Sequence, residues 1–182
     1  MRYGPKEITM NGRALTLRSP EPEDAAALLA FLRTACGETD FLLSCPDEIS
    51  YTEEDEATLI RRWCEAAEEV MIAVFEGARV VGTVSVTAVG GKSKVHHRAS
   101  LGITVLRELW GLGLGRRLMR EAEAAARGMG FAQLELGVFS ENARALRLYE
   151  TEGYTAYGRV PDAFRLRDGS RQDEILMAKP LT

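Results

Sequence analysis

Cysteine is scarce in this sequence. There are three, Cys36, Cys45 and Cys64, unevenly spaced and with no CxxC pair. That pattern argues against a disulfide framework or a structural zinc site, and reads the three as small buried or half-buried residues. Histidine is scarcer still, with only the adjacent His96 and His97. Read as part of a strand, the two face opposite sides, so they are not expected to share an ion, and no metal is expected. The longest apolar run, Ala25–Leu32, is far below the roughly 18 residues of a membrane span. The opening Met1-Arg2-Tyr3-Gly4-Pro5 is not followed by the apolar segment of a secretory signal. A cytoplasmic location with no membrane partner is the expectation. Positive charge is not in excess either: 23 Lys and Arg stand against 27 Asp and Glu, net -4. A nucleic-acid-binding domain is usually basic, so no nucleic-acid partner is expected.

What is present is the composition of an ordinary globular domain, 46% hydrophobic and 27% charged over 182 residues. Residues 1–182 are read as one domain. The charge is unevenly laid out. Between Thr34 and Ile60 there are eight acidic residues and no basic one, while Lys92–Arg120 holds seven basic residues against one acid, Glu108. For any single charge a solvated surface explains this; the two blocks together raise the prospect of one face for an anion and another for a cation.

Periodicity gives the order of elements. Ala14–Arg18 alternates as a strand. Pro20, Pro22 and three acids open a helix that Ala25–Leu32 carries to about Cys36, with Gly37 as its expected C-terminal cap. Glu38–Tyr51 reads as a long loop, and the capping-box sequence Thr52-Glu53-Glu54-Asp55 begins a second helix reaching about Glu68. Val70–Phe75, Arg79–Val89 and Lys94–Val105 read as a three-strand meander. Gly113–Met129 is a helix, Phe131–Val138 a strand, Ser140–Glu152 a helix, and Tyr154–Arg159 and Asp173–Lys179 two closing strands. The order implies a mixed sheet with helices on both faces, in the α/β class.

Gly111-Leu112-Gly113-Leu114-Gly115-Arg116-Arg117 lies between a strand and a helix. Unobstructed backbone N–H groups and a helix start suit phosphate, but the glycine spacing is not a Rossmann fingerprint and no Gly-Lys-Ser/Thr follows. On the residues alone a tight turn leading into the helix and a phosphate cradle both fit. Arg116 and Arg117 favour an anionic ligand with several phosphates.

About 30 residues on come Asn142, Ala145, Leu148-Tyr149 and Gly153-Tyr154. With the Gly113-x-Gly115 turn, this set resembles the Gcn5-related N-acetyltransferase (GNAT) superfamily, in the form of a small bacterial-type acetyltransferase. The resemblance is strongest over Ala99–Tyr154 and weaker over Leu15–Asp24 and Asp173–Met177. It implies a mixed, roughly seven-stranded sheet that binds acetyl-CoA where two parallel strands, Ser100–Val105 and Gln133–Val138, splay apart, usually with the help of a bulge. It implies that the backbone of Ile103, Thr104 and Val105 pairs with the pantetheine amides, that Gly111, Leu112, Gly113, Leu114, Gly115 and Arg116 hold the pyrophosphate, that Asn142 contacts the pantetheine arm, and that Ala145 is small enough to let the cofactor pass. Tyr149 would sit near the sulfur. In such a reaction an amine attacks the thioester, a backbone N–H steadies the oxyanion, and a phenol gives a proton to the departing thiolate; Tyr149 is the candidate acid.

The sequence departs from the family at three places. Trp110 stands where Arg or Gln is common, three residues before Gly113, and Ser100 and Gly137 stand where relatives often carry a catalytic glutamate. A base could instead come from Glu135, His96 or His97, or through water from Glu38, Asp40 or another acid of the loop. The family's acceptor side falls on the acidic Glu38–Glu56 block, so Glu38, Asp40 and Phe41 are the candidate acceptor contacts. The acceptor is expected to be a primary amine, on a small molecule or a peptide, drawn by negative charge. A transferase for another acyl-CoA and a non-catalytic acyl-CoA-binding regulator are the alternatives. Homodimers are common in the superfamily, and nothing in the sequence shows one.

Overall fold

Asn11 and Gly12 both take left-handed backbone, with φ of 50° and 78°. Consecutive positive φ values make the tight turn that matches the twist of paired strands, and Asn-Gly adopts it most readily. The turn pairs Lys6–Met10 (β1) antiparallel with Arg13–Arg18 (β2). β1 is a strand beyond the seven expected. The computed structural model describes residues 1–181, and over these the chain continues through Ala25–Glu38 (α1), Glu53–Glu65 (α2), Glu69–Glu76 (β3), Arg79–Ala88 (β4) and Arg98–Val105 (β5). It closes with Leu114–Gly128 (α3), Gln133–Phe139 (β6), Ala143–Thr151 (α4), Thr155–Arg165 (β7) and Arg171–Pro180 (β8).

Among the described residues the sheet has eight strands in the order β1-β2-β3-β4-β5-β6-β8-β7. All neighbours are antiparallel except β5 and β6, which are parallel. Ile72, Ala73, Val74 and Phe75 are buried in succession, so both faces of β3 are covered. α2 packs on β3 and α1 on β4, while α3 crosses β3, β4 and β5. α3 presents Leu118, Met119, Ala122 and Ala126, all fully buried, on one helical stripe. These join Val84, Val86, Ala99 and Leu134 in one core.

The capping box forms as expected: the Asp55 amide donates to the Thr52 hydroxyl at 3.1 Å, and the Asp55 carboxylate accepts the Thr52 amide at 2.9 Å. Three local readings are corrected. Gly37 is not a cap; α1 runs through it and ends at Thr39, which is extended. The strand expected from Lys94 starts at Arg98, and His96 and His97 lie in the turn before it, so strand alternation does not apply to them. β7 is longer than expected, because bulges between Ala156 and Gly158 and between Val160 and Phe164 bend it without ending its pairing.

Candidate active site

β5 and β6 pair at only three positions, Arg98 with Gln133, Ala99 with Leu134 and Ser100 with Glu135. Beyond these, Leu101–Val105 and Leu136–Phe139 pair only outward: β5 with β4 as far as Val105, and β6 with β8 as far as Phe139. The two parallel strands therefore part at their C-terminal ends, where open α/β sheets bind ligands. No bulge in β5 opens the gap, since the β4–β5 register runs unbroken from Ala88–Ala99 to Gly82–Val105. The bulge of this region lies one strand away, where β4 slips against Val74 and Phe75. Each splayed strand is instead held by its outer partner. The carbonyl of Val105 is already engaged, accepting the indole Nε1–H of Trp110 at 2.7 Å.

The chain leaves β5 through Arg107–Leu109, a single 3-10 turn, and reaches the glycine turn. Gly111 and Gly113 have φ of 76° and 91°, a conformation costly for any residue with a β-carbon. Gly113 caps α3 at its N-terminus, so free N–H groups and the positive end of the helix lie at this turn. From Gly113 a groove of about 470 Å³ runs between α3 and β1, lined by Lys6, Arg116, Arg117 and Arg120 among others. These cations are shared by two acids: Arg116 and Arg120 meet Glu152 at 2.9 and 3.0 Å, and Arg117 and Lys6 meet Glu121 at 2.7 and 2.8 Å. Four positive charges against two negative leave the groove positive.

α4 starts where β6 ends, at the same open end of the sheet. The Asn142 side-chain oxygen accepts the Ala145 amide at 3.2 Å, so Asn142 caps the helix and its NH₂ is the donor left for a ligand. Ala145 is half-buried beside Leu148, whose methyl would lie 3.1 Å from a β-carbon on Gly115. The two motifs thus meet closely, and only a glycine fits at Gly115 without a shift. Tyr149 is 8% exposed. Burial pushes its phenol up to about 12, which keeps the proton on it.

The other side of the splay is aromatic. The Phe139 ring stacks on Phe164 at 3.7 Å, and Phe41 stands 5.9 Å from Phe139, tilted by 59°. Arg167 reaches from the β7–β8 turn to Asp47, donating to both carboxylate oxygens at 2.6 and 2.8 Å. The Glu38 carboxylate accepts the backbone amide of Arg107 at 2.7 Å, fastening the end of α1 to the loop after β5; Asp40 is exposed. Glu135 is held by Arg98 and by the Gln133 amide at 2.8 Å, and the Arg98 guanidinium keeps its carboxyl below the ordinary range. An acid so engaged is poorly placed as a base.

Tyr149, Asn142, Ala145 and the turn from Gly111 to Arg116 come together at the open end with Ile103, Thr104 and Val105, and Phe41 lies on the aromatic side. Three residues of this region escaped the sequence reading. Phe139 and Phe164 are brought together by strand register between β6, β8 and β7. Glu174 on β8 lies over Gly137: a β-carbon on that glycine would sit 2.8 Å from the Glu174 carboxyl carbon. Glycine inside a strand often marks such a close approach, which was the one available signal.

Comparison with known proteins agrees with this geometry. Residues 38–154 match the acetyltransferase (GNAT) family. A structure of an acetyltransferase of the GNAT family from Streptococcus pneumoniae superposes with a TM-score of 0.85 at 30% identity, over 91% of this chain and 99% of that one. YwnH of Bacillus subtilis, a proposed phosphinothricin acetyltransferase, is 24% identical over 168 residues, 92% of this chain and 100% of its own length. A GNAT superfamily phosphinothricin acetyltransferase from Sinorhizobium meliloti, solved in complex with acetyl-CoA, shares the fold with a TM-score of 0.77 at 17% identity, over 91% and 88% of the two chains. With its splayed parallel strands, glycine turn and family match over more than half its length, the chain belongs to the GNAT family of acetyltransferases.

Proposed function

We propose that this chain, acting as one catalytic domain in the cytoplasm, transfers the acetyl group of acetyl-CoA to a primary amine. The observation that carries the reading is the parting of β5 and β6 after Ser100 and Glu135, with the glycine turn and the helix of Tyr149 at that same end. Acetyl-CoA supplies an activated acyl group as a thioester. The free edge of β5 at Ile103 and Thr104 offers backbone groups to the pantetheine amides. Val105 contributes its remaining lone pair, since a carbonyl oxygen has two. The amides of the turn and first helical residues, with Arg116, hold the pyrophosphate. The Asn142 NH₂ meets the pantetheine arm, and Ala145 leaves room for it.

Tyr149 then acts as the acid. A phenol kept protonated by burial donates to the sulfur as negative charge develops there. On the acceptor side Asp40 and Phe41 sit at the mouth, and Glu38 fixes the loop behind them. The names of the relatives make an amino-acid-type amine such as phosphinothricin one acceptor to include. The test is purified protein, acetyl-CoA and a panel of amines and peptides, read by free thiol. CoA release that depends on the added amine supports the reading. Tight acetyl-CoA binding with no amine-dependent release overturns it in favour of a non-catalytic binding domain, to which the missing carboxylates at Ser100 and Gly137 would point.

A further inference from the structure

Gly137 is the glycine of β6, and it lies in the part of that strand that has left β5. Glu174 on β8 is paired in register with Phe139, two residues further along. Its carboxyl group does not rest over its own partner. It reaches diagonally to Gly137, so that a β-carbon there would overlap Oε1 and stand 2.8 Å from the carboxyl carbon. The reach is toward the closed end of the splay, deeper into the cleft. Alternate strand residues share a face, so Gly137, Phe139 and Glu174 open on the same side, the side of the Phe139–Phe164 stack.

Apart from Asp40, which is exposed on the loop before Phe41, the acids around this side are engaged. Glu135 is held by Arg98 and Gln133, Asp47 by Arg167, and Glu38 by Arg107. Among the described residues Glu174 pairs with no cation or amide. It is half-buried, beside aromatic rings, where an unpaired carboxylate is costly unless a ligand compensates it. A cationic amino group reaching the carboxylate past the half-buried Phe41 and Phe164 would do so.

We propose that Glu174 is the carboxylate that receives the acceptor's amino group and takes its proton, with Phe41, Phe139 and Phe164 holding the acceptor's body. The acceptor is then a primary alkylamine on an apolar frame. The assignment rests on the acetyltransferase reading above. The alkylammonium gives one proton to Glu174, and the freed nitrogen attacks the thioester carbon. The C–N bond forms and the C–S bond breaks. The sulfur takes the Tyr149 proton, Tyr149 regains one from the new amide nitrogen through water, and Glu174 returns its proton to solvent as product leaves.

The test uses two amines on the wild type, Glu174→Gln and Gly137→Ala. Benzylamine is an ammonium at neutral pH and needs a base; p-anisidine is already neutral and does not. The methyl of Gly137→Ala displaces a flexible side-chain end and leaves the fold intact, so it moves the carboxylate without removing it. Both variants should bind acetyl-CoA within twofold of wild type by calorimetry. Both should lose roughly 100-fold in turnover of benzylamine and stay within threefold for p-anisidine. Equal loss for both amines, or no loss for benzylamine, overturns the assignment. So does a wild type that binds acetyl-CoA but acetylates neither amine. A wild type that does not bind acetyl-CoA overturns the underlying reading instead.

Discussion

The guanidinium carbon of Arg144 lies 3.5 Å from the centre of the Trp110 ring, clamping the loop before the glycine turn onto the first turn of α4. The same indole donates to the Val105 carbonyl, so one side chain ties the end of β5, the phosphate loop and the helix of Tyr149 together. A cation over an aromatic face contributes about 0.5–2 kcal/mol, depending on burial. Trp110→Ala should raise the acetyl-CoA Kd roughly fivefold to tenfold, while Trp110→Phe, which keeps a ring for Arg144, should cost less. Calorimetric titration of both variants checks the order. Equal affinities would show that the clamp does not shape the cofactor site.

Tyr149→Phe removes one oxygen from a helix already packed by its ring. Turnover should fall by roughly 100-fold with the acetyl-CoA Kd changed less than twofold. Because burial raises the phenol to about 12, the wild-type rate should show no falling limb from its ionisation between about pH 6 and 10. Steady-state rates across that range, compared with the Phe variant, decide the point.

Gly113 holds φ at 91° where α3 begins. Alanine there meets the left-handed penalty of about 1–2 kcal/mol, which in a domain of this size lowers Tm by roughly 2–8 °C. Gly113→Ala should also weaken acetyl-CoA binding, because relief of the strain turns the amides of the turn away from the phosphates. A melt and a titration on the same sample measure both.

Glu135 has its carboxyl lowered chiefly by Arg98. A group depressed in the folded state stabilises the protein above its unfolded pKa, near 4.3 for glutamate, and that contribution is lost as pH falls through the folded value. Glu135→Gln should therefore show a shallower loss of Tm below about pH 4.5 than wild type, with acetyl transfer at neutral pH close to normal. A large catalytic loss would return Glu135 to the list of candidate bases.

The sequence carried the parts of this structure that local chemistry determines. The Thr52 capping box, the glycine turn and the α3 stripe are written in consecutive residues, and each formed where expected. β1 was legible too, through Asn11-Gly12, but its two inward apolar residues gave too short a pattern to stand out. Gly37 misled because a glycine late in a helix is a cap only if its backbone turns left-handed, and here it stays helical. The charge blocks also have local uses that the sequence alone does not separate from ligand binding. Part of the acidic stretch ties backbone, as Glu48 does its own Cys45 and Glu38 the distant Arg107, and several of the basic residues pair with acids far along the chain. Glu174 and the Phe139–Phe164 stack depend on register among three strands from distant segments, which no local window contains.

The bond between Asp47 and Arg167 joins residues 120 apart in sequence, and both side chains are about two-thirds open to water. An exposed pair of this kind contributes about 1 kcal/mol at most, which leaves at least roughly 15% of molecules unlatched at any moment. The contact between the Asp47 loop and the β7–β8 turn therefore breaks and reforms by thermal motion alone, and more often as added salt screens it.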